Sequence, residues 1–236
     1  MQERLDKFLS TQLNLSRKQA RALIWAGKAQ VNGELERHID FKTDPQQDEI
    51  LVQGNPVTYR QHLYLMMNKP EGVISASSDP KAKTVIDLLP EELRRKGLFP
   101  AGRLDKDTEG LLIITDDGQF AHSFIAPKKD VFKIYEALLD SPITAGDISA
   151  LEAGITIDGG ELCKPARLEN HPQRGENWVL ISISEGKYHQ VKRMAEAIGK
   201  SVLKLKRISI GKLSLDPELK VGEVRELTPE EKHHVV

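Results

Sequence analysis

Apolar residues return at helical intervals from the first turn of the chain. Leu5, Phe8, Leu9 and Leu13 follow the i, i+3, i+4, i+8 spacing of a helix with one buried face. A second helix follows at once: Ser16 and Gln19 make a capping box, Ala20, Leu23 and Ile24 form the buried stripe, and Gly27 supplies the stop. Lys28 to Val31 and Glu34-Leu35 then flank Asn32-Gly33, a dipeptide suited to a tight hairpin turn. Residues 43 to 60 are polar and turn-rich around one short apolar patch, Ile50-Leu51-Val52. This pattern predicts a small domain over residues 1–54, a linker over 55–61 and a larger domain over 62–236.

In the larger domain short apolar runs alternate with helical patterns, which predicts an α+β fold around a mixed sheet. Strands are expected at Leu63 to Met67, Leu111 to Thr115, Lys133 to Leu139, Trp178 to Ser184, Val202 to Ile208 and Val221 to Leu227. Helices are expected near Val85 to Leu89, Gly118 to Ile125, Thr144 to Ala153 and Tyr188 to Ile198. A last short helix is announced by Thr228-Pro229-Glu230-Glu231, with threonine as cap, proline in the first turn and Glu231 closing the box.

Composition narrows the function classes. With 236 residues, 39% of them hydrophobic, the chain can fill one large or two smaller cores. The formal net charge of −1 excludes a protein that is basic overall, so any affinity for nucleic acid must come from local clusters. One such cluster lies on the second helix, where Arg17, Arg21 and Trp25 recur every fourth residue beside Lys18 and Lys28, a face able to grip phosphate and stack on a base. Cys163 is the only cysteine and the seven histidines form no ligand set, which argues against a disulfide framework or a structural zinc and fits a cytoplasmic setting. The charged start and the lack of any bilayer-length apolar stretch predict a soluble protein with no membrane partner.

The chemistry concentrates in Ala101-Gly102-Arg103-Leu104-Asp105-Lys106-Asp107-Thr108-Glu109-Gly110-Leu111-Leu112. Gly102 and Gly110 permit backbone geometry closed to other residues, and the apolar run that follows anchors the far end, so Asp105 is expected in a braced loop beside a core strand. A second stretch, Glu185-Gly186-Lys187-Tyr188-His189-Gln190-Val191-Lys192-Arg193-Met194, puts Val191, Met194, Ala195 and Ile198 on one helical face and His189, Lys192, Arg193 and Glu196 on the other. Two cations near a helix start oppose its dipole, so an anion there is stabilising. Phe132-Lys133-Ile134-Tyr135 sets a basic residue and an aromatic on one strand. Lys204, Lys206 and Arg207 are expected as a basic ridge, with Leu203 and Leu205 facing the other way.

The helix, capped helix and Val-Asn-Gly hairpin resemble the αL RNA-binding module first seen in a small-subunit ribosomal protein. The Asn68-Lys69-Pro70-Glu71-Gly72 turn, the Arg103-Leu104-Asp105 loop, the Tyr135 strand and the Lys187 to Met194 segment resemble, in order, the motifs of the pseudouridine synthases that modify ribosomal RNA. Thr115-Asp116-Asp117-Gly118-Gln119 and Tyr188 to Met194 are most similar to the ribosomal small-subunit pseudouridine synthase A family, which acts on uridine 516 of 16S RNA.

The resemblance implies a small αL-type RNA-binding domain followed by a mixed, mostly antiparallel synthase domain, and an isomerase that converts uridine to pseudouridine. It gives Asp105 the catalytic role, lays Tyr135 against the uracil, and pairs the aspartate with a basic residue, Lys192 by motif alignment and Arg193 otherwise. In relatives a threonine or serine often precedes the tyrosine; here Ile134 does. Arg103, His189 and Arg193 join Arg17, Lys18, Arg21, Trp25 and Lys28 as expected RNA contacts. The chemistry calls for neither metal nor organic cofactor. The carboxylate can attack the anomeric carbon or remove a proton from the neighbouring ribose carbon, a choice the sequence leaves open. The expected partner is 16S ribosomal RNA within a ribonucleoprotein assembly intermediate, bound by a monomer. A sister enzyme of 23S RNA and a non-catalytic assembly factor are the competing expectations.

Overall fold

The computed structural model describes residues 2–235 and divides into two compact units, one formed by residues up to 63 with 89–98, the other by 64–88 with 99 onward. In the first unit, helix α1 (Leu5–Gln12) and helix α2 (Arg17–Trp25) bury Leu5, Phe8, Leu9, Ala20 and Ile24 against Ala29, Val31, Ile50 and Val52. The capping box at α2 forms in both directions: the Gln19 amide donates to Ser16 Oγ at 3.2 Å and the Ser16 amide to Gln19 Oε1 at 2.8 Å. Strands β1 (Ala29–Val31) and β2 (Glu34–Glu36) form the expected hairpin, with Asn32 and Gly33 both at positive φ.

The apolar patch at 50–52 is strand β3 (Ile50–Val52), which pairs with β1 and with β4 (Asn55–Pro56). Residues 55 and 56, expected in a linker, therefore close the small sheet. Residues 89–98 are tied to this unit through Arg95, whose guanidinium donates to the carbonyls of Arg60 and Gln61, each at 2.7 Å.

The second unit is built on a twisted sheet whose strands are β5 (Tyr64–Lys69), β6 (Phe99–Ala101), β7 (Glu109–Thr115), β8 (Lys133–Leu139), β9 (Arg167–Asn170), β10 (Trp178–Ile183), β11 (Val202–Ile210), β12 (Leu213–Ser214) and β13 (Val224–Glu226). Their spatial order is β9-β10-β8-β11-β7-β5-β13, with β6 paired to β7 and β12 to β11. Neighbours run antiparallel except β11 and β7, which run parallel where Lys206 and Arg207 meet Glu109 and Gly110. Central β7 is a continuous apolar run because both its faces are covered, whereas β8 alternates, sending Tyr135, Ala137 and Leu139 inward. Helices α3 (Gly118–Ile125), α4 (Ala145–Glu152), α5 (Gln190–Ala197) and α6 (Pro229–His234) complete the unit. Ala121 and Phe124 of α3 pack with Met66, Leu111, Ile113 and Ile210 in its core.

The expected fold class matches this architecture, and several expected boundaries shift for local reasons. The helix foreseen at Val85 to Leu89 is a single 3₁₀ turn, Ile86–Leu88, because Pro90 disfavours helical geometry at the preceding residue. The helix foreseen from Tyr188 begins only at Gln190, because His189 holds φ +50°. Strands β6 and β9 escaped the pattern: Pro100 interrupts one, and the other is a short, largely polar strand at the sheet's edge. No helix among the described residues is long and apolar enough to cross a membrane.

Candidate active site

The loop from Arg103 to Thr108 leaves β6 and enters β7, and it is held by its own backbone. The Thr108 amide donates to Asp105 O at 3.1 Å, the Gly72 amide donates to Lys106 O at 2.8 Å, and Ser75 Oγ both accepts from the Leu104 amide and donates to the Leu104 carbonyl. At the far end Gly110 has φ +103°, and a β-carbon there would stand 2.2 Å from the Arg207 carbonyl oxygen. The close parallel approach of β7 and β11 thus depends on glycine.

Beneath the loop lies Lys69, the last residue of β5, fully buried. Its ammonium donates to Thr108 O at 2.8 Å, Asp105 O at 2.9 Å and Pro70 O at 3.0 Å, and reaches Lys106 O at 3.4 Å. Burial pushes this group down to about 8, while the surrounding carboxylates of Asp105, Asp107, Glu109 and Glu71 oppose the shift. Lys69 drew no role from the sequence beyond its place in a turn. The available signal was a lysine continuing an apolar strand, a position that demands several acceptors.

Asp105 stands at the edge of a cleft of about 690 Å³, lined among others by Arg103, Tyr135, Lys187, His189 and Arg207. Its side chain is 29% exposed; Oδ1 lies 3.4 Å from His189 Nε2 and Oδ2 lies 4.0 Å from Lys192 Nζ. Lys192 also donates to Asp107 Oδ1 at 2.5 Å, and that hydrogen bond holds the Asp107 carboxyl below the usual carboxylate range. Arg193, on the same expected helix face, turns elsewhere: Asp158, Glu161 and the Tyr188 carbonyl take its guanidinium. The expectation that Lys192 and Arg193 present together is thereby corrected, because one residue of helical advance, about 100°, separates their directions.

Tyr135 is 8% exposed and faces the cleft from β8, opposite Arg207 of β11 in the sheet register. Arg207 overturns the expected basic ridge. Strand alternation places it on the side of Leu205, not of Lys204 and Lys206, and it is buried with Nε donating to Leu111 O at 2.8 Å. Leu203, expected to face away from the basic residues with Leu205, is 60% exposed while Leu205 is buried. Gln190, also unforeseen, orders the approach to α5: its Oε1 accepts from the Lys187 amide at 2.9 Å and its Nε2 donates to Glu185 Oε1 at 2.8 Å. Tyr188 stacks on His189 with ring centroids 3.8 Å apart, leaving an exposed aromatic at the cleft mouth.

The small unit carries its own polar cluster. Asp6 of α1 is fully buried and receives Arg17 Nη1 at 2.8 Å, Arg21 Nε at 2.9 Å and Arg4 Nε at 3.1 Å. Burial alone raises such a carboxyl, but the hydrogen bonds of Arg4 and Arg21 and the charge of Arg17 bring it down to about 2. Three arginines on one aspartate leave a net positive face, with Lys18, Trp25 and Lys28 exposed on the same unit. Arg17 and Arg21 are thus fixed by Asp6, a partner in α1 that the helix spacing alone did not reveal.

Comparison with known proteins agrees with both units. Residues 63–197 match the RNA pseudouridylate synthase family and residues 3–43 match the S4 domain. The chain is 51% identical over 232 residues to the uncharacterized RNA pseudouridine synthase YtzG of Bacillus subtilis, covering 98% of this chain and 97% of that one. It is 41% identical over 236 residues to ribosomal small subunit pseudouridine synthase A of Escherichia coli, covering 99% and 100%. A crystal structure of a pseudouridylate synthase superposes with a TM-score of 0.68 at 37% identity, covering 99% of each chain. With a synthase match over more than half of its length and full-length relatives at 41% and 51% identity, this chain belongs to the RNA pseudouridylate synthase family.

Proposed function

We propose that this RNA pseudouridine synthase isomerises uridine 516 of 16S ribosomal RNA, with Asp105 as its catalytic carboxylate, Tyr135 against the uracil and Lys192 as the cation that keeps Asp105 ionised and aimed. The observation that carries the reading is the meeting of Asp105 and Tyr135 in one cleft with Lys192 4.0 Å from the carboxylate. A partly exposed carboxylate at the edge of a cleft suits a reaction at the sugar of a nucleotide swung out of its stack. The C1′–N1 bond breaks as Asp105 either bonds to C1′ or takes the C2′ proton, and positive charge develops on the sugar in both routes. Tyr135 holds the freed ring, which turns and rejoins C1′ through C5. Arg103, exposed at the cleft edge, and His189 contact the RNA backbone around the extruded nucleotide.

The choice of small-subunit RNA rests on the similarity to the Escherichia coli small-subunit enzyme over the full chain. The arginine face of the first unit, with Lys18, Trp25 and Lys28, grips RNA phosphates and stacks on a base. The substrate is an assembly intermediate of the small subunit in the cytoplasm, and the enzyme acts as a monomer. Mapping pseudouridines in a deletion strain by carbodiimide labelling and primer extension tests the assignment. The expected result is loss of the single modification at uridine 516, restored by the wild-type gene and not by Asp105→Asn. Loss at a 23S position instead, or restoration by Asp105→Asn, overturns it.

A further inference from the structure

The inner wall of the cleft holds a cation that the scheme above does not use. Arg207 is 5% exposed and lines the cleft beside Tyr135. Its Nε donates to Leu111 O, while Nη2 is buried with no hydrogen-bond partner among the described residues. A buried guanidinium with a spare donor is costly unless a ligand supplies the acceptor. Lys133 lines the same cleft, two residues before Tyr135 on the same side of β8. Its ammonium sits below its ordinary value, chiefly through burial and then through the nearby charge of Arg207. Neutral uridine does not call for two cations on this wall, but the departing base does. When C1′–N1 breaks, the bonding pair stays with N1 and the ring becomes an anion, its charge spread over N1 and the carbonyl oxygens.

We propose that Arg207, assisted by Lys133, is a further catalytic residue: it donates to a carbonyl oxygen of the detached uracil and stabilises the ring's negative charge between cleavage of C1′–N1 and formation of C1′–C5. The inference rests on the Asp105 and Tyr135 reading given above. During the step Asp105 holds C1′ or the C2′ proton and returns it on rejoining; C5 exchanges its proton for C1′, N1 gains a proton in place of C1′, and no oxidant or reductant is involved. A preorganised donor in a site shielded from water is worth most where charge develops, so the effect belongs to turnover and not to RNA binding.

The test uses small-subunit ribonucleoprotein whose 16S RNA carries uridine or 5-fluorouridine at the target position. Fluorine makes the base a more stable anion, so its departure needs less help. Single-turnover cleavage of the N-glycoside is measured for wild type, Arg207→Gln and Arg207→Lys, together with RNA affinity. Arg207→Gln is expected to be about 100-fold slower on uridine, within about tenfold of wild type on 5-fluorouridine, and unchanged in affinity; Arg207→Lys regains part of the uridine rate. Should Arg207→Gln fail to fold, Arg207→Lys carries the same comparison, with a smaller loss that again shrinks on 5-fluorouridine. Equal slowing on both RNAs, or a defect confined to affinity, overturns the role of Arg207 while an inert Asp105→Asn leaves the Asp105 reading standing. An Asp105→Asn protein with wild-type rates brings down both.

Discussion

Two aspartates, one in each unit, sit among cations and are treated in opposite ways. Asp6 is fully buried, takes three arginines at 2.8 to 3.1 Å, and is driven down to about 2. Asp105 keeps 29% of its side chain exposed, and the basic side chains that face it, His189 and Lys192, stand at 3.4 and 4.0 Å. A saturated carboxylate organises structure, because its lone pairs are already committed. A carboxylate held by its backbone, with its oxygens left open toward a cleft, is available to a substrate. The loop around Asp105 achieves this by fastening carbonyls and amides through Lys69, Ser75 and Gly72 while leaving the carboxylate itself lightly engaged.

The contrast breaks most sharply at the two carboxylates themselves. Asp105→Asn is expected to lower the single-turnover rate on the order of 10⁴-fold, the upper end for a positioned acid–base group, with no change in the urea midpoint. Asp6→Asn is expected to do the reverse, costing about 3 kcal/mol at neutral pH, the lower end for breaking a buried ion pair, since its arginines are half exposed. Its signature is in acid. Asp6 is lowered in the folded state, so its contribution is complete above about 4 and fades as pH falls toward about 2. Urea melts of wild type and Asp6→Asn should therefore converge as pH falls. A stability gap that stays constant down to pH 2 would show that Asp6 is not the anchor of the arginine face.

How much of this was legible differs between the units for physical reasons. The helices, hairpin and caps of the first unit follow from local rules, and Ser16, Asn32 and Gly33 are where the spacing put them. Asp6 was not legible, since nothing in a helix period says that a polar residue near its start will be enclosed by a second helix. In the larger unit the strands around β7 and β8 were read almost to the residue, but Arg207 was placed on the wrong side of β11. Three basic residues close together invite a solvent-facing reading, and alternation, which separates 206 from 207, was the stronger guide. The bracing role of Lys69 is not legible because most of its partners are carbonyls distant in sequence, whereas Gln190 braces its own neighbourhood, Lys187 and Glu185, through a turn that helix periodicity does not encode.

A smaller effect separates the two neighbouring cations of α5. Lys192→Met removes the charge facing Asp105 and is expected to lower turnover about 30-fold, within the range for truncating one partner of a close charge pair. Arg193→Met, whose guanidinium is spent on Asp158 and Glu161, should stay within about threefold of wild type, as for a pair near the surface. Reversed sensitivities would mean that Arg193 leaves its partners to serve the aspartate when RNA binds.

The smallest expected effect tests whether the backbone brace matters to the open carboxylate. Lys69 titrates at about 8 in the folded protein, below the ordinary 10.5. Between those values the unfolded chain holds a proton that the folded one has released, so the lysine's contribution to stability rises with pH. The brace weakens over the same range, because a neutral amine offers one N–H fewer to the carbonyls of Pro70, Asp105, Lys106 and Thr108. Turnover should thus fall by a few-fold as pH passes through about 8 even as the protein becomes no easier to unfold, a combination that general alkaline denaturation cannot produce. In Lys69→Arg, which stays charged throughout, the inflection should vanish. An unchanged inflection in that variant would assign the titration to another group and leave the loop held by its amides alone.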